Sequence, residues 1–203
     1  MFLLPTRSTL RGIAGLLAVA SACAVGDPLS TASADTQPDA APAIPATPAG
    51  SPHDFDFEHG RWQTTLRRRL HPLSGSDVWA DYAGTTIVRP VLGGRANLVE
   101  LDVSGPAGRL QGLSLRLFDP KSKQWTLNFS NAASGTLAAP MTGGFGGGPR
   151  GVFYSAEEFD GRRVLVRFVI ESTSADTCRF EQAFSADGGL TWETNWIAVD
   201  TRS

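Results

Sequence analysis

From residue 61 onward, apolar and polar residues alternate along the chain with a period of two. The alternation is clearest over 62–66, 99–103, 113–117, 164–170 and 192–196. A period of two places one face of a strand against a core and the other face in water. No segment after residue 60 keeps a helical period over three turns. The pattern therefore predicts an all-β domain.

The alternating segments predict nine strands joined by short turns. They cover about 61–70, 78–90, 97–103, 110–118, 124–130, 151–159, 163–171, 177–185 and 191–199, with a weak tenth near 134–139. Turn sequences such as Asp160-Gly161 lie between them. Consecutive antiparallel strands form a meander, and a meander of this size removes its exposed edges by closing. We expect an antiparallel meander closed into a barrel of about 9–10 strands.

The first 34 residues have the layout of a secretory signal. Arg7 and Arg11 are followed by an apolar and small-residue run over 12–25 that is too short to span a bilayer. Cleavage after Ala34 is one processing route. The other is lipidation of Cys23, because residues 20–23 resemble a bacterial lipoprotein box. We expect an exported protein, periplasmic or extracellular, that is either free or anchored through a lipid, with no membrane span in the mature chain.

The composition of the rest of the chain separates a tether from a folded domain and argues against several kinds of function. Residues 35–52 are rich in proline and alanine and are predicted to be a disordered tether, which leaves 53–203 as the barrel domain. A net charge of -2 argues against nucleic-acid binding. The His- and acid-rich segment 53–59 lacks the spacing of known metal motifs, so neither a metal nor a cofactor is predicted. Cys178 has no disulfide partner once Cys23 is removed or acylated, and the oligomeric state stays open.

Gly60 and Trp62 open the first predicted strand as Gly-Arg-Trp, which resembles the G-x-W signature of lipocalins and the wider calycin group. This resemblance implies a lipocalin-like barrel. It further implies that Trp62 packs across the closed end beneath a basic residue near the last strand, for which Arg202 is the candidate. Segments 90–95 and 112–119, followed by Trp125, also resemble an uncharacterised bacterial family of exported lipocalin-like proteins. That family has no common activity to carry over.

A second motif occurs near the end of the chain. Five residues fit the pattern S-x-D-x-G-x-T-W, and these are Ser185, Asp187, Gly189, Thr191 and Trp192. The pattern resembles the Asp-box hairpins of sialidase-type propellers. A propeller needs at least four blades, and a single motif cannot supply them. We therefore expect a structural hairpin in which the Asp187 carboxylate caps backbone donors.

The leading functional hypothesis is a hollow barrel that binds a small, largely apolar molecule. The expected ligand-binding residues are aromatic, namely Trp125, Phe129, Phe145, Phe168 and Trp196. The glycine-rich connection 131–150 is expected to cover the barrel mouth, with Phe145 folding inward as a lid. Leu113, Leu115 and Leu117 are expected among the residues that face the interior.

Two other classes of function stay open. One is an enzyme in the same barrel, of isomerase, cyclase or hydrolase type, with Glu181 and Glu193 as an acid/base pair. Pairing of these carboxylates with Arg179 or Arg167 on the wet face is the preferred interpretation, so no catalytic residue is assigned. The other is an envelope interaction protein with a solid core and no ligand.

Overall fold

The structure is a computed structural model, and it describes residues 43–203. The predicted signal segment, Cys23 and the first part of the tether lie outside these residues, so export and lipidation stay predictions. The described chain forms ten strands. They are β1 (Gly60–Arg69), β2 (Trp79–Val91), β3 (Ala96–Gly105), β4 (Gly108–Asp119), β5 (Gln124–Asn131), β6 (Met141–Gly144), β7 (Arg150–Phe159), β8 (Arg162–Ser174), β9 (Thr177–Ser185) and β10 (Glu193–Arg202). Two short 3-10 helices cover Asp56–Glu58 and Leu92–Gly94.

The strands form a closed antiparallel barrel, which confirms the predicted fold class. Each strand pairs with its neighbour in sequence, and β10 pairs with β1 to close the sheet. The tenth strand is β6, not the predicted segment 134–139, where Leu137 makes only an isolated bridge to Ser130. Glycine favours β6, since a Cβ at Gly143 would lie 2.0 Å from the Val152 carbonyl oxygen on β7. A bulkier residue would therefore hold the two strands apart.

Strand register decides which side chains face the interior. On β4 the inward residues are Leu110, Gly112, Ser114, Arg116 and Phe118, since Arg116 reaches a buried partner inside the barrel. The expectation that Leu113, Leu115 and Leu117 line the interior is wrong, because they occupy the opposite face. Leu113 is 40% exposed and Leu117 is 36% exposed. Apolar and polar residues do alternate on this strand, but its more apolar face is the outer one.

One end of the barrel is filled by aromatic side chains and is called the closed end below. Phe55 precedes the first 3-10 helix and lies edge-on to Trp125 and Phe145, with ring centroids 4.8 and 5.1 Å away. Phe55, Trp62, Trp125 and Phe153 are each no more than 1% exposed. The closed end therefore contains a dry, tightly packed plug.

Residues 47–51, from the segment predicted as a tether, contact this closed end. The Gly50 amide donates to the Lys123 carbonyl oxygen at 2.6 Å, and the Gly146 amide donates to Ala49 at 3.0 Å. The Trp125 indole donates to the Ser51 carbonyl oxygen at 2.9 Å. The last part of the segment 35–52 is thus held against the barrel by backbone hydrogen bonds.

The opposite end, called the open end below, carries the loops 70–78, 106–107, 132–140, 160–161 and 186–192. The connection 131–150 does not form a single flap over it, because β6 divides that segment. Its first half, 132–140, is an exposed loop at the open end, and its glycine-rich half lies at the closed end. The placement of Phe145 as a lid is therefore wrong: it is 5% exposed and packs on Phe55 and Phe153. Within 43–203, no helix has the length and apolar character needed to cross a membrane.

Candidate functional site

Part of the interior of the open half is lined by apolar side chains that face inward and are partly buried, whereas Leu66, Val103 and Val166 on the same face are buried. The partly buried side chains that pack against the core are Ala80, Leu101, Leu110, Met141, Phe168 and Trp196. Phe129 shares their face by its register with Ser114 and is 40% exposed. The partly exposed inner face of the open half, formed by these residues, is called the cup below.

The five aromatic residues predicted to bind ligand fall into two groups. Phe129, Phe168 and Trp196 line the cup. Trp125 and Phe145 belong to the closed-end plug and are 0% and 5% exposed. The structure thus places three of the five on the inner face of the open half and the other two in the packed core at the closed end. Ligand binding by any of them stays a prediction.

A buried ion pair forms the floor of the interior. Glu58 is fully buried, and both its carboxylate oxygens accept hydrogen bonds from the Arg116 guanidinium, one of them at 3.1 Å. The same guanidinium lies 4.4 Å from the centre of the Phe55 ring. The Glu58 carbonyl oxygen accepts a 2.7 Å bond from the Trp62 indole. The 3-10 helix therefore ties the plug to β1 and β4 through one acidic residue.

The Trp62 ring packs against the Arg202 side chain of the last strand, β10. Arg202 is its register partner on β10, and the guanidinium carbon lies 4.1 Å from the centre of the Trp62 ring. Arg202 also donates to the carbonyl oxygens of His59, at 3.0 Å, and Phe57, at 2.7 Å. Gly60 begins β1 with a φ of 124°, in the region that glycine tolerates best. A Cβ there would lie 3.1 Å from Arg202, so this glycine leaves room for the guanidinium.

Asp200 is a second buried carboxyl group inside the barrel. It is 2% exposed and lies beside Thr64 on β1, whose hydroxyl hydrogen-bonds that of Thr86 at 2.7 Å. Burial raises the pKa of Asp200 from 3.8 to about 7, and the negative charge of Glu58 adds to the increase. Hydrogen bonds from the two threonines and the charge of Arg116 oppose it. Near neutral pH this carboxyl is therefore poised between its neutral and charged forms.

Several buried polar atoms at this level have no hydrogen-bond partner among the described residues. Both side-chain amide atoms of Asn97 are unpartnered, although the residue is only 1% exposed. Arg116 Nε and Asp200 Oδ1 are also unpartnered. Buried polar groups in native proteins are nearly always paired, and these atoms are donors and acceptors that the described residues leave unused.

The Asp-box residues form a tight hairpin between β9 and β10. Asp187 accepts hydrogen bonds from the Thr191 amide at 2.9 Å and from the hydroxyl groups of Ser185, at 2.7 Å, and Thr191. These bonds lower the pKa of Asp187 from 3.8 to about 2, with the Thr191 hydroxyl as the largest cause. The Ser185 hydroxyl accepts from the Gly189 amide at 2.8 Å. The polar groups of the motif are thus occupied by the turn itself.

Trp192 lies on the outer surface of the barrel. Its indole donates to the Gly189 carbonyl oxygen at 3.0 Å, and Arg167 lies 4.5 Å from its ring centre. A cleft of about 350 Å³ lies between this hairpin and the loop 70–78, lined by Leu73, Phe184, Asp187 and Glu193 among others. Glu193 in this cleft already accepts the Leu73 amide at 2.7 Å. Glu193 therefore holds the hairpin to the loop 70–78, whereas Asp187 is engaged within the hairpin.

The chemistry proposed for the alternative enzyme finds little support in the geometry. Glu181 accepts from Arg179 at 2.7 Å on the outer face, whereas Glu193 holds the loop 70–78. Cys178 is buried, and burial raises the pKa of its thiol to about 12, so it is a poor nucleophile. Within residues 43–203, no group of three or more His, Cys, Asp or Glu side chains is placed to hold a metal ion.

Comparison with known proteins adds information on the fold. No protein-family model matches the chain, and no curated protein matches it. Among solved structures, it is similar to the S-type phycobiliprotein lyase CPES from Guillardia theta, with a TM-score of 0.51 and 11% identity over 73% of this chain and 90% of that one. It also matches the structure of EF1p2_mFAP2b bound to DFHBI, with a TM-score of 0.42 and 9% identity over 75% of this chain and 98% of that one. A de novo designed fluorescence-activating β-barrel matches with a TM-score of 0.40 and 10% identity over 73% of this chain and 95% of that one. The likeness to the lyase, at 11% identity, supports the fold alone, an antiparallel β-barrel.

Sequence reasoning missed two polar residues of the interior. The alternating pattern does not identify Asn97 and Asp200, because buried carboxyl and amide groups contradict the rule that the inner face is apolar. A signal for Asp200 existed. It lies two residues before Arg202, so a strand that places Arg202 over Trp62 must also point Asp200 inward.

Proposed function

We propose that this protein binds a small, largely apolar molecule in the cup. The observation that supports the proposal is the partial exposure of inward-facing apolar side chains at the open end, above a plug that is dry. An apolar surface that is concave, accessible and backed by a rigid wall is the usual form of a small-molecule site. The aromatic residues Phe129, Phe168 and Trp196 would supply most of its contact area.

The barrel offers a closely matched pair of positions to test this. Phe129 on β5 and Leu113 on the neighbouring strand β4 are both 40% exposed, but they face opposite sides of the same sheet. An arginine at position 129 would place a charge in the cup, whereas an arginine at 113 would place it on the outer surface. The two variants therefore change charge and exposure equally and differ only in which face they alter.

The experiment is a titration of the full chain with N-phenyl-1-naphthylamine, an uncharged dye that fluoresces in apolar surroundings. We expect saturable binding in the micromolar range, weakened at least about tenfold by Phe129→Arg and by Trp196→Arg, since each places a charge where the dye would lie. Leu113→Arg should bind as the wild type does. Thermal melts of all variants show whether each is folded.

The absence of saturable binding by folded wild-type protein would overturn the proposal and favour the ligand-free interaction protein. Equal weakening by Leu113→Arg and Phe129→Arg would also overturn it, because the dye would then be binding outside the cup.

A further inference from the structure

We propose that the ligand of the cup carries an uncharged polar group with both a hydrogen-bond donor and an acceptor, which Asn97 and Arg116 receive at the bottom of the cup. This inference rests on the proposed function and specifies the chemistry of its ligand. A primary amide is the simplest group of this kind. The ligand would enter with this group first and leave its apolar part against the aromatic wall.

The exposure of the inward-facing residues on β4 changes with their depth in the barrel. Leu110, Gly112 and Ser114 face inward on this strand and are partly exposed, whereas the next inward residue, Arg116, is 4% exposed. Gly112 and Ser114 have small side chains, and the Phe129 ring lies over Gly112. Along β4, partial exposure of the inward-facing residues therefore ends at Arg116, which we take as the floor of the cup.

Several polar atoms at that floor have no hydrogen-bond partner among the described residues. Asn97 on β3 is the register partner of Arg116, so the two side chains lie next to each other inside the barrel. The Asn97 amide has one acceptor and one donor nitrogen, both unpartnered, and Arg116 adds an unpartnered donor at Nε. Leaving these groups buried without partners costs free energy that a suitable ligand would recover.

The charge of Arg116 at the floor is already balanced. Glu58 binds the two terminal nitrogens of Arg116, so the positive charge of the guanidinium is already neutralised. A ligand anion would gain little from Arg116 and would approach the Glu58 carboxylate. A ligand cation would be repelled by the Arg116 guanidinium, because the Glu58 carboxylate is already bound to that guanidinium. The floor therefore favours a neutral group that offers a carbonyl oxygen to the donors and an N–H or O–H to Asn97 Oδ1.

The test is competition against bound N-phenyl-1-naphthylamine by two neutral molecules that differ at the polar end. Octanamide has a donor and an acceptor, whereas methyl octanoate has acceptors only and would leave Asn97 Oδ1 unpartnered. We expect octanamide to displace the dye at about tenfold lower concentration, the effect of one buried hydrogen bond. Asn97→Leu should reduce this ratio to about one, because the ratio compares two competitors against the same dye on the same variant.

Asn128→Leu is the matched control, because the Asn128 amide faces outward and donates to the Leu115 carbonyl oxygen at 3.0 Å. It should keep the wild-type ratio. Equal displacement by the two competitors from wild-type protein would overturn the inference without touching the proposed function, and this comparison needs no variant. A preference for octanamide that persists in Asn97→Leu would overturn the assignment to Asn97. Failure of the dye to bind would instead overturn the proposed function itself.

Discussion

At the scale of single residues, the unusual feature of this barrel is that its interior contains charge. Glu58 and Arg116 compensate each other, but Asp200 has no cationic partner in direct contact among the described residues. An uncompensated buried carboxyl responds by retaining its proton, which is why its pKa is raised to about 7. This response links the protonation of one side chain to the stability of the whole domain.

The first prediction follows from that link. The pKa of Asp200 is about 7 in the folded chain against 3.8 as a model value, so the folded state binds the proton more tightly. Stability must then fall as the pH rises from about 4 to about 7, because over this range the folded state holds a proton that the unfolded state has released. Asparagine mimics the protonated form, so Asp200→Asn should abolish this part of the pH dependence.

Thermal melts of wild type and Asp200→Asn over this range measure the effect. The variant should melt at a temperature close to that of the wild type near pH 4 and above it near pH 8. Melting temperatures that stay parallel across the range would show that Asp200 titrates normally in the folded protein.

At the scale of elements, the sequence predicted strands well and faces less well. Period two locates a strand, because both of its faces repeat every second residue, but the period alone does not say which face is inside. On β4 the outer face carries Leu113, Leu115 and Leu117, and the inner face carries Gly112, Ser114 and Arg116. The inner set could be identified only with knowledge that Arg116 has a buried partner on a distant 3-10 helix. That partnership is tertiary, and no local pattern encodes it.

The hairpin between β9 and β10 is the element whose chemistry the sequence predicts most directly. Its polar groups bond to each other within seven residues, so local sequence suffices. We predict that Asp187→Ala lowers the melting temperature by roughly 2–4 °C, the usual effect of losing one capping side chain in a domain of this size. A scanning calorimeter at neutral pH measures this.

The contribution of Asp187 to the stability of the fold depends on pH in the opposite direction to that of Asp200. The pKa of Asp187 is lowered from 3.8 to about 2, so its stabilising effect is present above about pH 4 and is lost as the pH falls towards 2. Wild type and Asp187→Ala should therefore become more alike in acid. Loss of a glycan-cleaving activity in Asp187→Ala at unchanged melting temperature would contradict a structural role and revive the glycosidase interpretation.

At the scale of the whole molecule, the barrel has a packed half built on the buried aromatic side chains of the closed end. Trp62 is central to the packed half, since it is 0% exposed and lies between the Glu58 carbonyl oxygen and the Arg202 guanidinium. We predict that Trp62→Ala lowers the free energy of unfolding by about 3–5 kcal/mol, the range for large aromatic truncations in a core. Urea unfolding followed by circular dichroism measures it.

Trp79→Ala is the control for this prediction. Trp79 is partly exposed at the start of β2, where Arg67 and Arg69 lie 5.3 and 5.0 Å from its ring centre. Its truncation should cost much less, because most of its contacts are with exposed groups. Equal losses in the two variants would show that Trp62 does not carry the packing of the closed end.

The pairing of β1 with β10 has a consequence for the time course of folding. These strands are the most distant in sequence, and Arg202 donates to a carbonyl oxygen 143 positions away. The chain loses the entropy of closing a long loop before this pairing stabilises it. We therefore expect folding over milliseconds to seconds rather than microseconds. Until β10 arrives, β1 and β9 each present an unpaired edge on which another chain can add a strand. The interval before closure is therefore when aggregation competes most strongly with folding, and dilution or faster docking of β10 should raise the yield of native protein.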